Sequence, residues 1–154
     1  MLPNYIDMSD PDAPISALAE QLRPLFLRIG RKLRREAEPL GLSATDTGLI
    51  GLILLNEGLG VSELADLEQT SRPTMSVHVK RLEAAGWVAR DDPDPADKRR
   101  VGLRVTEAGR AARDAVRQRR TDWLARRLAA LTPEQRAALD AALAPLTQIA
   151  GERY

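Results

Sequence analysis

The side chains best equipped to act on another molecule lie in two short stretches. In the first, Arg72, Thr74, Ser76, Val77, Lys80 and Arg81 are interleaved with Met75, Val79 and Leu82, which share one face at helical spacing. Packing those three apolar residues inward turns cations and hydroxyls outward, a set suited to phosphate oxygens and base edges. Arg72, Thr74 and Ser76 stand nearest the N-terminal end, where base edges are read; Lys80 and Arg81 are placed for phosphates. In the second stretch, Asp97-Lys98-Arg99-Arg100 closes a run of turn formers, Asp91-Asp92-Pro93-Asp94-Pro95-Ala96. A basic tip of this kind can carry a guanidinium into a narrow, electronegative groove.

Other chemistry is poorly provided for. The chain has no cysteine, which removes disulfides, thiolate metal sites and thiol redox switches. One histidine, His78, is too little for an imidazole zinc site; it reads equally as a phosphate contact or an ordinary boundary residue. No nucleophile–base pair, phosphate loop or metal cluster is visible. The expectation is a protein that is not an enzyme and needs no cofactor or metal.

Several elements must hold the two stretches in place. Residues 1–14, with Pro3, Pro11 and Pro14, read as an irregular arm. A long helix is expected over 15–38, since Leu18, Leu22, Leu25, Ile29 and Leu33 draw one stripe. Pro24 should kink or divide it; Pro39 and Gly41 should stop it. Ser43, with Asp46 three residues on, caps a second helix through Leu49 to Leu55. A short helix over 62–67 follows. Thr70 and Ser71 then cap a helix with Pro73 in its first turn, which runs to Ala85 and halts at Gly86. There the period changes to 2: Trp87–Arg90 and Val101–Val105 are strand candidates, forming a hairpin with the charged tip between them. Thr106 caps a long helix to about Leu131. Thr132-Pro133-Glu134-Gln135 is a capping box that opens one last helix through Leu139, Leu143 and Leu146. The fold class is mainly α with a small β-hairpin, a winged helix-turn-helix.

The net charge of +1 conceals an uneven distribution. Residues 1–70 hold 6 Lys/Arg against 11 Asp/Glu (−5), residues 71–120 hold 13 against 7 (+6), and residues 121–154 hold 4 against 4. The basic third coincides with the helix-turn-helix and hairpin, as expected for a surface that meets a polyanion. With 44% hydrophobic residues, no apolar run of about 20 and an acidic start, the composition reads as cytoplasmic, without membrane partner or leader.

The ordered set Leu64-Ala65 … Ser71-Arg72-Pro73-Thr74-Met75-Ser76 … Lys80-Arg81-Leu82-Glu83-Ala84-Ala85-Gly86-Trp87-Val88 resembles the recognition region of the MarR family (multiple antibiotic resistance regulators). Asp97-Lys98-Arg99-Arg100 … Val105-Thr106-Glu107-Ala108-Gly109-Arg110 is similar to that family's wing and the start of its next helix. The resemblance implies a winged helix-turn-helix DNA-binding domain over 43–106 and helical dimerisation elements over 15–38 and 107–154. It makes Arg99 the minor-groove arginine and Asp97 the acidic partner that steadies it. It implies a homodimer on a pseudo-palindromic double-stranded operator, a repressor, and release by a small aromatic carboxylate or its coenzyme A thioester. Phe26, Arg28, Arg31, Lys32, Arg34 and Arg35 on the first helix fall near the expected effector cleft; Arg113 and Trp123 are further candidates. Missing cysteines and the single histidine speak against the family's peroxide-sensing and zinc-sensing branches. One departure stands out: many members carry a base-reading arginine where this chain has Val77, which offers only an apolar contact, for example to a thymine methyl. The competing expectation is a winged-helix module for protein–protein assembly, without effector sensing.

Overall fold

Ser43 opens the helix around which the other elements are built. Its hydroxyl accepts the Asp46 backbone N–H at 3.0 Å, and the Asp46 carboxylate accepts the Ser43 N–H at 2.8 Å. This reciprocal cap starts α2 (Ala44–Leu55), whose Leu49, Ile50 and Ile53 are buried. The computed structural model describes residues 13–91 and 101–151. α1 (Ala13–Arg35) precedes this helix, separated from it by a short 3-10 turn at Glu38–Leu40. Two short helices then cross: α3 (Val61–Leu67) and α4 (Arg72–Ala84). The antiparallel pair β1 (Val88–Arg90) and β2 (Leu103–Val105) follows, with Val88 opposite Val105 and Arg90 opposite Leu103. α5 (Glu107–Ala129), α6 (Pro133–Ala141) and α7 (Leu143–Ala150) complete the order. The fold is mainly α with one two-stranded sheet, the winged helix-turn-helix expected from the sequence.

The core sits where α2, α3, α4 and the sheet meet the first half of α5. Leu42, Ile50, Ile53, Leu64, Met75, Val79, Leu82, Leu103 and Val116 are all fully enclosed. One close approach locks α5 against β1. Gly109 lies directly under the Trp87 carbonyl, where any Cβ would collide with that oxygen and stand 2.8 Å from Val105 Cγ1. Glycine is required there by space, since the helix begins at Thr106, whose hydroxyl accepts the Gly109 N–H and donates to the Gly86 carbonyl.

The main departures from the sequence expectation lie in the terminal helices. α1 starts at Ala13, inside the span expected to be irregular, and ends at Arg35 rather than residue 38. It also runs through Pro24 without a break. A long exposed helix can absorb the one hydrogen bond a proline removes. The expected single last helix is two, α6 and α7, parted at Ala142. Pro145 explains the break: its ring would clash with the carbonyl four residues earlier, at Ala141, where α6 ends.

Candidate nucleic-acid interface

α4 presents a long exposed face, and its mounting is fixed from both ends. At the start, the α3–α4 turn passes through Gln69 in the left-handed region (φ 49°), and the Thr70 N–H closes on the Ala65 carbonyl at 2.9 Å. Ser71 then caps α4: its hydroxyl accepts the Thr74 N–H at 3.2 Å and lies 2.7 Å from the Thr74 hydroxyl. At the far end, the Gly86 and Trp87 amides fold back on the carbonyls of Glu83 and Leu82. Met75, Val79 and Leu82 are buried beneath.

Of the residues expected to face outward, Ser71, Arg72, Pro73, Thr74, Val77, Lys80 and Arg81 are exposed and Ser76 is half-buried. His78 is half-buried on the flank, a boundary position. Arg81 is not a loose cation. Its guanidinium donates to the Asp46 carboxylate and reaches the Ser43 hydroxyl at 3.5 Å, tying α4 to the start of α2. Asp46 is buried, which pushes its pKa up. The bonds from the Ser43 hydroxyl and amide, with the Arg81 guanidinium, outweigh that and hold the carboxyl below its usual range.

The hairpin stands beside α4. At its base the Asp91 N–H meets the Gly102 carbonyl at 2.9 Å, and Arg104 pairs with Asp91 at 3.1 Å. The Gly58 amide donates to the Leu103 carbonyl, and the Leu103 amide donates to Leu59, so the α2–α3 link braces the second strand. The wing residues singled out in the sequence, Asp97, Lys98, Arg99 and Arg100, lie outside the described residues.

A second feature lies on the other side of α2. A solvent-open cleft of about 1280 Å³ runs between α2, α5, the end of α1 and the end of α3. Gly48 and Gly51 leave room along the α2 wall, and Arg34, Arg113, Arg117 and Arg120 line the other walls. Arg120 donates to the Leu33 carbonyl at 3.1 Å. Among the described residues, no carboxylate pairs with Arg34, Arg113 or Arg117. The structure therefore brings Arg34 and Arg113 together. It does not bring Phe26, Arg28 or Arg31 to this cleft; Phe26 instead borders a small apolar hollow with Leu22, Leu27 and Ile149. Trp123 stands apart under the Arg127 guanidinium, 4.4 Å from it. Arg117 and Arg120 were missed in the sequence, although 113, 117 and 120 share one helical face.

The terminal helices present a third surface. None of residues 14–35 and none of α6 or α7 is buried. Ile15, Leu18, Leu25, Leu27, Leu143 and Ile149 are between 48% and 68% exposed, far more apolar surface than a helix pair normally leaves in water.

Comparison with known proteins agrees with this arrangement. Residues 40–100 match the profile of the MarR family. The chain is 35% identical over 132 residues to an HTH-type transcriptional regulator of Mycobacterium tuberculosis, covering 84% of this chain and 87% of the relative. A transcriptional regulator of Thermotoga maritima superposes with a TM-score of 0.70 at 26% identity, over 87% of this chain and 94% of that one. A mutant of Staphylococcus aureus MepR, bound to an oligodeoxyribonucleotide, shares the fold at 19% identity and a TM-score of 0.70, over 87% and 98%.

Proposed function

The chain belongs to the MarR family of transcriptional regulators, and from that premise we propose that it binds a pseudo-palindromic double-stranded DNA operator as a homodimer and represses by occluding the promoter. The observation that carries this reading is α4: a helix capped at Ser71, rigidly seated, with Thr74, Val77 and Lys80 exposed in one outward set and Arg72 exposed at its N-terminal end. The major groove is wide enough to admit such a helix. The MepR variant that shares this fold is described as bound to an oligodeoxyribonucleotide, which is support of the same kind. The wing at Asp97–Arg100 is assigned the adjoining minor groove, with Arg99 inserted. Exposed apolar side chains on α1, α6 and α7 favour a two-fold partner, which would set two copies of α4 about one turn of DNA apart.

Release falls to the arginine-lined cleft. Its walls combine four arginines, against the single carboxylate of Glu68, with Leu52, Leu55 and Leu67, a match for a planar apolar acid. We assign it a small aromatic carboxylate or the corresponding coenzyme A thioester. Such a ligand releases DNA only to the extent that it prefers the non-binding spacing of the two heads.

The test is a mobility shift on duplexes selected by the protein from a random pool, repeated across salt concentrations and with benzoate or benzoyl-coenzyme A added. Operator binding should weaken steeply as salt rises, because phosphate contacts release counterions. Failure to enrich any duplex would refute the DNA-binding reading and favour a protein–protein assembly module. A complex indifferent to both acids would remove the effector assignment alone.

A further inference from the structure

Along the outward middle of α4 the line through Pro73, Val77 and Ala84 is apolar, with Thr74, Lys80 and Arg81 to either side of it. At about 3.6 residues per turn, Val77 stands diametrically opposite the buried trio Met75, Val79 and Leu82. Pro73 one turn before and Ala84 two turns after fall on nearly the same line, and all three are exposed. Val77 is 67% exposed, an apolar side chain at the most protruding position of a charged helix.

The neighbouring hydrogen-bonding side chains are occupied or displaced, and Ser76 is half-buried on the flank. The Ser71 and Thr74 hydroxyls are 2.7 Å apart and serve the cap. Arg81 is tied back to Asp46. Arg72 is the first residue of α4, off the central line. Lys80 is a point charge on a flexible stem, better suited to a phosphate than to a bidentate base edge.

From this arrangement we infer that Val77, with Pro73 beside it, is a specificity-determining residue that recognises the C5-methyl group of a thymine in each half-site. Among the four bases, thymine alone presents a methyl in the major groove, and an apolar stripe has no other feature there to select. The inference rests on the DNA-binding reading above and deepens it. Arginine or glutamine at this place would select a base by paired hydrogen bonds; valine selects by burying one methyl. The discrimination is therefore modest, about three- to fivefold per half-site from the transfer of one methyl-sized group out of water, and about tenfold or more for a dimer engaging two.

The experiment uses the full chain and duplexes it selects from a random pool. Each thymine in the selected site is replaced in turn by uracil, symmetrically in both half-sites, which deletes the methyl and leaves base pairing intact. Wild-type protein should lose about tenfold in affinity at one symmetric pair of positions. The Val77→Ala variant, whose shorter side chain reaches less far, should lose most of that discrimination between thymine and uracil duplexes, with an unchanged thermal melt because the side chain is exposed. Val77→Gln should shift the base selected at that position toward adenine. Wild-type indifference to every uracil replacement overturns the inference while leaving DNA binding standing. So does a Val77→Ala variant that keeps the full discrimination. If no duplex is enriched at all, the DNA-binding reading fails and this inference fails with it.

Discussion

Replacing Asp46 with asparagine tests whether a charged link holds α4 to α2. The wild-type carboxylate accepts three bonds, from the Ser43 amide at 2.8 Å, the Ser43 hydroxyl at 2.7 Å and the Arg81 guanidinium. Asparagine keeps one acceptor oxygen and places an amide N–H₂ where the second oxygen stood. With that oxygen on Arg81, the Ser43 amide faces a donor and the reciprocal half of the capping box is lost, at about 1 kcal/mol. The bond to Arg81 loses its charge assistance; because Arg81 is half exposed, water screens the pair and the loss is about 1 kcal/mol more. The sum, about 2 kcal/mol, corresponds to about 4–8 °C in Tm for a chain of this size. The pH dependence has a definite sign. The carboxyl titrates below its usual value in the fold, so its contribution is complete above the unfolded value of about 4 and disappears as pH falls through the folded one. Urea unfolding of wild type and Asp46→Asn, at one fixed protomer concentration, should differ by about 2 kcal/mol at pH 7 and converge toward pH 3. A difference that is constant between pH 7 and pH 3 would refute the charged link, and one below about 0.5 kcal/mol at pH 7 would refute the cap as well. A double-mutant cycle with Arg81→Met should return a coupling of about 1 kcal/mol.

Four further substitutions have definite expected outcomes. Gly109→Ala pushes a methyl into the Trp87 carbonyl and should destabilise by about 2–3 kcal/mol in urea unfolding; a change under 0.5 kcal/mol would mean that α5 shifts freely against β1. Gly48→Ala meets no atom within 4 Å and removes a helix-interior glycine, so it should stabilise by about 0.5–1 kcal/mol in the same assay. Because Gly48 lines the cleft, Gly48→Leu should instead weaken release of DNA by benzoate without weakening operator binding. Arg99→Ala should cost about 1–3 kcal/mol of operator affinity with an unchanged melt, as measured by mobility shift; undiminished affinity would take the wing arginine out of the interface.

What the sequence made legible was what local rules decide. Ser43 with Asp46, Ser71 before Arg72-Pro73, Thr106 and the Thr132–Gln135 box each announce a helix start within four residues, and each cap forms as read. Pro145 was legible by the same rules and overlooked, since the leucines at 139, 143 and 146 carry a helical period straight across the break. Pairings over long separations were not legible. Nothing in the spacing says that Asp46 takes Arg81, or that α1 turns Arg34 rather than Arg28 or Arg31 into the cleft, because both depend on how distant helices are rotated against each other.

The basic third of the chain shows what that costs an argument from charge. Its balance of +6 reads as one surface awaiting a polyanion. In the fold, Arg81, Arg90, Arg104, Arg110 and Arg119 are each held by a carboxylate within the protomer: Asp46, Glu83, Asp91, Glu57 and Glu36. Among the described residues, the basic side chains of this third left without a carboxylate partner divide between two places on opposite sides of α2. Arg72 and Lys80 are exposed on α4, while Arg113, Arg117 and Arg120 line the cleft. A single count therefore merged two separate electrostatic surfaces, to which the proposed function gives different partners, a phosphate backbone and a small anion. Their responses separate them. Charge reversal at Lys80 should flatten the salt dependence of operator binding, whereas charge reversal at Arg117 should leave it unchanged and alter only the response to added acid.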